Sequence, residues 1–234
     1  MSGCRDGRSQ KQKRIDALHQ AAHQNSRDIT KILEVSTKSR DELGVALSAF
    51  NLMITTKKKS KTFSVECAYQ SSKFFTSGIQ YLDLLDVSSR EAKKDIRLKQ
   101  SGLIQCFRFY GDEWPINPVT AFYDWLYINA LNNKPEYHEL LDGYSAFTDI
   151  EFNPEKSISC QAYSVALFCA LKKRGILDYA IESKENFLSI YRAYRINNTH
   201  MSEEHQLGMR IKCLTFASSA TSTQPIIVLF FMIL

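Results

Sequence analysis

The run NPVTAFYDWLYINAL, residues 117–131, sets four aromatic residues, Phe122, Tyr123, Trp125 and Tyr127, within a short apolar stretch. It predicts a buried helix, and a helix with that much aromatic surface has to be enclosed by other elements. The chain must therefore supply a core around it. Its 234 residues, 44% hydrophobic and 12% aromatic, suffice for one large folded domain. SISCQAYSVALFCALKKRG (157–175) predicts a second strong helix, with serine near its start, basic residues in its last turn and Gly175 as its stop.

Around these two segments the patterning alternates between types. Residues 9–24 place Ile15, Leu18 and Ala22 at helical spacing, and 88–99 and 183–195 also read as helices. ITKILEVST (29–37), IQCFRFYG (104–111) and YSAFTDIEFNP (144–154) read as strands. LGVALSAFNLMI (43–54) reads as loop into strand, and KKKSK (57–61) as a solvated loop. The expected fold is α+β, a single helix-rich domain with short β-strands. Residues 1–8 are expected to be a disordered N-terminus, 9–195 the catalytic domain, and 196–234 an atypical tail. Its closing run PIIVLFFMIL (225–234) reads either as an altered end or as a genuine strand.

Several function classes drop out. The six cysteines are scattered, with no C-x-x-C and no zinc spacing, which favours a reduced, cytoplasmic protein without structural metal. The N-terminus lacks an apolar signal region, and no run of 18 apolar residues suggests a membrane span. A net charge of +5 permits a polyanionic partner without specifying one. There is no G-x-G-x-x-G, Walker loop, G-x-S-x-G or H-E-x-x-H. The five histidines avoid the candidate segments, which counts against a histidine-based triad. Carboxylates, with a lysine, are left to do any proton and charge work, and that chemistry suits glycosidic bond cleavage.

In VECAYQSSKFF (65–75), Glu66, Gln70 and Lys73 stand at spacings of four and three. On a helix they fall within about 60° of one another. They form either a reactive stripe or the wet side of an amphipathic helix. Ser64 is placed to cap that helix, with Glu66 in its first turn. Asp149 reads either as a reactive carboxylate or as a turn aspartate. Trp114 and Trp125 read as core or as stacking platforms.

Three blocks in order, SAFN (48–51), SVECAYQSSKFF (64–75) and FTDIEFNPEKSISCQAYSVALFCALKKRG (147–175), resemble the NADAR family. They look most like its branch encoded beside DarT-type DNA ADP-ribosyltransferase toxins, as do SQKQK (9–13) and WPINPVTAFYDWLYINAL (114–131). The similarity covers roughly residues 9–192. Family members generally carry histidine where this chain has Cys67 and tryptophan where it has Phe152; Cys160-Gln161 stands near the family's Gly-x-Asn position.

The resemblance implies an N-glycosidase that removes ADP-ribose from guanine in DNA and so acts as antitoxin to a DarT-type toxin, with no cofactor and no metal. It implies catalytic roles for Asp149, Glu66 and Lys73. Ser48, Phe50, Asn51, Tyr69, Gln70, Trp114, Trp125, Phe152 and Gln161 would bind substrate. ADP-ribosylated DNA and the companion toxin would be the partners. The rival readings are an N-glycosidase of a small ribosylated metabolite, a non-catalytic antitoxin, and a nucleic-acid binder without catalysis.

Overall fold

The computed structural model describes residues 10–56, 60–153, 159–193, 211–216 and 227–232, the last two stretches as backbone. The chain opens with α1 (Gln10–Asn25), β1 (Ile32–Glu34), α2 (Glu42–Ala46), β2 (Met53–Thr55), β3 (Thr62–Ser64), α3 (Val65–Ser71) and β4 (Lys73–Phe75). A 3-10 turn at Leu82–Leu85 precedes α4 (Ser89–Lys94), α5 (Arg97–Gln100), β5 (Ile104–Phe109) and β6 (Asp112–Trp114). Then come α6 (Ala121–Asn132), α7 (Pro135–Leu141), β7 (Ala146–Thr148), α8 (Gln161–Lys173), α9 (Leu177–Glu182) and α10 (Lys184–Ala193). Within the tail, β8 (Ile211–Phe216) and β9 (Ile227–Met232) are strands. The fold is a single α+β domain, helix-rich with short strands, as expected.

Helix α8 is its axis. Every residue from Gln161 to Leu171 is buried, so the helix needs neighbours on all sides. α6 and α9 pack against it, and β7 lies on another flank. Strand β7 pairs in parallel with β1, Glu34 opposite Thr148, and antiparallel with β9, in the order β1-β7-β9-β8. β2-β3 and β4-β5-β6 form two small antiparallel sheets. An aromatic cluster joins α3, β5 and α6: Tyr69 stacks on Phe107 at 5.4 Å, and Phe107 on Phe122 at 4.8 Å.

Several elements depart from the sequence expectation. The start of the segment 43–54, read as loop into strand, belongs to α2, because Asp41 caps that helix by accepting from the Leu43 N–H at 3.0 Å. Gly44 lets this helix lie against β1: a Cβ there would stand 2.0 Å from the Glu34 carbonyl oxygen. The surface helix expected over 88–99 is two short helices broken at Asp95. Trp114, read as core or as a stacking platform, ends a strand. Helices α7 and α9 were not anticipated. The strand expected over 144–154 keeps only three residues before turning at Asp149. Lys57, Lys58 and Lys59 of the basic loop lie outside the described residues, as does the start of the chain.

Candidate active site

Helix α3 begins where Ser64 Oγ accepts from the Cys67 N–H at 3.1 Å. It ends after two turns. The hydroxyls of Ser71 and Ser72 both donate to the Ala68 carbonyl, at 3.0 and 2.6 Å, and the chain passes directly into β4. The single helical stripe expected for Glu66, Gln70 and Lys73 is therefore corrected: the first two share a helix face, and Lys73 opens a strand. The three still meet. Lys73 Nζ donates to Gln70 Oε1 at 2.7 Å, and Gln70 Nε2 donates to Glu66 Oε1 at 2.8 Å. Only this orientation of the amide satisfies an ammonium on one side and a carboxylate on the other.

This row is no wet face, since Glu66 and Gln70 are only 5% and 7% exposed. Burial lowers the Lys73 pKa to about 8, helped by the Lys93 charge and opposed by Glu66. Lys93 Nζ stands 4.0 Å from Glu66 Oε2 and 5.2 Å from the centre of the Phe50 ring. Tyr69 lies beneath Lys73, its ring centre 5.1 Å from Nζ.

Asp149 forms the other half. It follows β7 in a turn whose Glu151 and Phe152 N–H groups donate to Oδ1 at 2.9 and 3.1 Å. Burial raises its pKa to about 7, and the negative charge of Glu34 adds to this; the Glu151 N–H and the Gln161 amide work against it. Gln161 links the two halves. Its Oε1 accepts from the Ala49 N–H at 2.7 Å, and the Ala49 carbonyl accepts from the Glu66 N–H at 2.9 Å. Tyr127 fixes the same loop through its hydroxyl, which donates to the Leu47 carbonyl at 2.5 Å.

The loop 48–51 thus lies between the two carboxylates. Ser48 is buried, and its hydroxyl has no hydrogen-bond partner among the described residues. Phe50 is half-buried beneath Lys93. Asn51 is exposed and spends its amide on the Val45 carbonyl at 2.8 Å, which shapes the loop and leaves the site. Trp114 is 1% exposed, wedged among Phe122, Trp125 and Phe187, so it has no free face for stacking. Trp125 packs behind Phe122 in the same cluster. Phe152 is half-buried against the core and held to Asp149 through its backbone.

Three side chains escaped the sequence reading. Tyr123 is buried on α6, and both Glu66 and Asp149 add to the effect of burial in pushing its phenol well above the ordinary value. Its aromatic helix was legible, but not which ring turns toward the acids. Glu34 is buried on β1 and faces Asp149. His19 was set aside with the other histidines, yet its Nε2 lies 3.0 Å from Thr148 Oγ1, one residue from Asp149. Burial lowers the His19 pKa to about 4, so the ring is neutral at physiological pH.

Among the described residues no group of three or more His, Cys, Asp and Glu side chains is placed to hold a metal ion. Among them, too, no helix is long and apolar enough to cross a membrane. The arrangement offers two buried carboxylates, an amine of lowered basicity and neutral hydrogen-bonding groups between them. The family model for the DarT1-associated NADAR antitoxin matches residues 6–201. No curated protein matches the chain.

Proposed function

The chain belongs to the family of DarT1-associated NADAR antitoxins, and from that premise we propose that it is an N-glycosidase removing ADP-ribose from guanine bases in DNA. In this reading it reverses the product of a companion DarT-type DNA ADP-ribosyltransferase. The observation that carries the reading is the buried Lys73–Gln70–Glu66 row, tied through Ala49 and Gln161 to Asp149.

The bond that breaks joins the anomeric carbon of ADP-ribose to a guanine nitrogen. Its electron pair leaves with guanine, and positive charge develops on the ribose. The ionised carboxylate of Asp149 stabilises that charge and takes the proton of the water that adds to the anomeric carbon. One proton returns to the guanine nitrogen, so that water is consumed and unmodified DNA and ADP-ribose are formed. Glu66 and Gln70 hold the ribose hydroxyls, and the Ser48 hydroxyl supplies a further hydrogen bond. Tyr69 provides an aromatic wall.

Lys73 as an ammonium holds an anionic oxygen. Its pKa of about 8 also favours a second role: about a tenth of the amine is uncharged at pH 7 and able to attack the anomeric carbon as the bond to guanine breaks, the amine's proton passing to the guanine nitrogen and water then releasing ADP-ribose from the lysine.

A substrate panel tests the reading. Guanine-ADP-ribosylated single-stranded DNA and free ribosylated nucleotides are compared at equal concentration, with products identified by mass. Release of ADP-ribose from the DNA with restored guanine is the expected result. Turnover of the nucleotides alone assigns the protein to small metabolites instead.

A further inference from the structure

Asp149 is held from both sides by one residue of a different strand. Glu34 Oε2 accepts from Thr148 Oγ1 at 2.5 Å, and Glu34 Oε1 accepts from the Ile150 N–H at 2.8 Å. These are the residues immediately before and after Asp149. The parallel ladder sets Glu34 opposite Thr148, and Val35 N–H donates to the Thr148 carbonyl at 2.7 Å. Glu34 is 3% exposed and Asp149 4%, so two carboxylates share a dry corner of the fold.

A carboxylate is an expensive way to hold a hydroxyl and an N–H in the interior, where an amide would serve with no charge to desolvate. Burial raises the Glu34 pKa, the Ile150 N–H and the Ser36 and Thr148 hydroxyls work against that rise, and the Glu34 charge in turn opposes ionisation of Asp149. On the reading of the site given above, we propose that Glu34 is a positioning residue that fixes the orientation of Asp149 and governs when Asp149 ionises.

The other groups around Asp149 do not offer that control. From α1, His19 reaches Thr148 but is neutral. Glu151, in the same turn, is tied to Lys11 Nζ at 2.6 Å and Thr37 Oγ1 at 2.8 Å, with Lys38 also near its charge. Tyr123 and Tyr127 from α6 are held in their neutral forms by burial. Ahead of α8 stands Cys160, whose Sγ is 4.0 Å from Asp149 Oδ2, and the Gln161 amide carries no charge. The Glu151 carboxylate also opposes ionisation of Asp149, but more weakly and while paired with Lys11; Glu34 exerts the larger effect and holds the residues on both sides of Asp149.

The test is a carbon-13 titration of the Asp149 carboxyl, assigned by its loss in Asp149→Asn, beside the pH profile of ADP-ribose release. Wild type and Glu34→Gln are compared. In Glu34→Gln the Asp149 midpoint falls by about one pH unit, and the acid limb of the rate profile moves down with it. Glu34→Asp keeps the charge but shortens the reach; the limb stays in place while the maximal rate drops about tenfold. A folded Glu34→Gln protein with an unmoved Asp149 midpoint overturns the inference.

Wild type alone also decides the matter should the variants not fold. Coupled carboxyls give two inflections in each resonance, and single independent inflections count against the proposal. A wild type that releases no ADP-ribose overturns the glycosidase reading, and the carboxyl titration is read independently of it.

Discussion

At the residue scale the site depends on protonation states that the interior imposes. Asp149 titrates at about 7 and Lys73 at about 8. If Asp149 works ionised and Lys73 works as an ammonium, the rate rises through the first value and falls above the second. The expected profile of kcat/KM is a narrow bell, and Lys73→Arg, which keeps the charge, removes its alkaline limb. Gln70→Ala leaves an ammonium and a carboxylate without the amide between them; the maximal rate is expected to fall about 100-fold, with circular dichroism unchanged. Asp149 also leaves a stability signature. Its folded pKa lies above the ordinary 3.8, so the folded state holds a proton that the unfolded state has lost. That stabilisation is complete below pH 4 and gone above pH 7. Asp149→Asn does not titrate, so its melting temperature relative to wild type climbs as pH rises from 4 to 8, by the equivalent of a few kcal/mol. A flat difference contradicts a buried, perturbed Asp149. The sequence displayed Glu66, Gln70 and Lys73 openly, because their spacing is local. It did not display Glu34, whose role comes from contact with Thr148 on a strand distant in sequence.

At the scale of elements, short pieces place the groups proposed to react. α3 is only seven residues long, and its start rests on Ser64, whose hydroxyl also receives a hydrogen bond from Ser89 at 2.7 Å. Ser64→Ala is expected to cost about 1 kcal/mol, read as a drop of about 2–4 °C in melting temperature. Gly44→Ala is more severe, since its methyl would drive α2 off the Glu34 carbonyl. A loss of at least about 2 kcal/mol in denaturant unfolding is expected. The long helices were legible because their apolar periodicity and their caps lie within one segment. α2 was not, because an apolar run of that length suits strand or helix until Asp41 is seen to cap it. For Trp114 the sequence left core and stacking platform both open, and strand pairing with Phe107 carries it into the core.

Across the whole molecule, one buried helix organises both halves of the site. α8 supplies Gln161 at its first turn, where the side chain meets Asp149 and the 48–51 loop together. That topology was foreseeable only in outline, since the sequence predicted the helix but not the partners its glutamine would join. Helix α4 exposes Arg90, Lys93 and Lys94, of which Lys93 stands beside Glu66, whereas Arg97 is engaged by Asp83 and Asp95, each at 2.6 Å. With single-stranded modified DNA as ligand, affinity should weaken as salt rises, and Arg90→Ala with Lys94→Ala should lower the log–log slope by about 1.4. An unchanged slope removes this face from the DNA path. Cleavage itself is measured by timing ADP-ribose release from guanine-modified single-stranded DNA. Wild type is compared with Glu66→Ala, Lys73→Ala and Asp149→Ala, each verified as folded. Wild type is expected to restore unmodified guanine while each variant slows by about 100-fold or more. Folded wild type that leaves the modification in place, or folded variants that release ADP-ribose at the wild-type rate, would contradict the glycosidase reading.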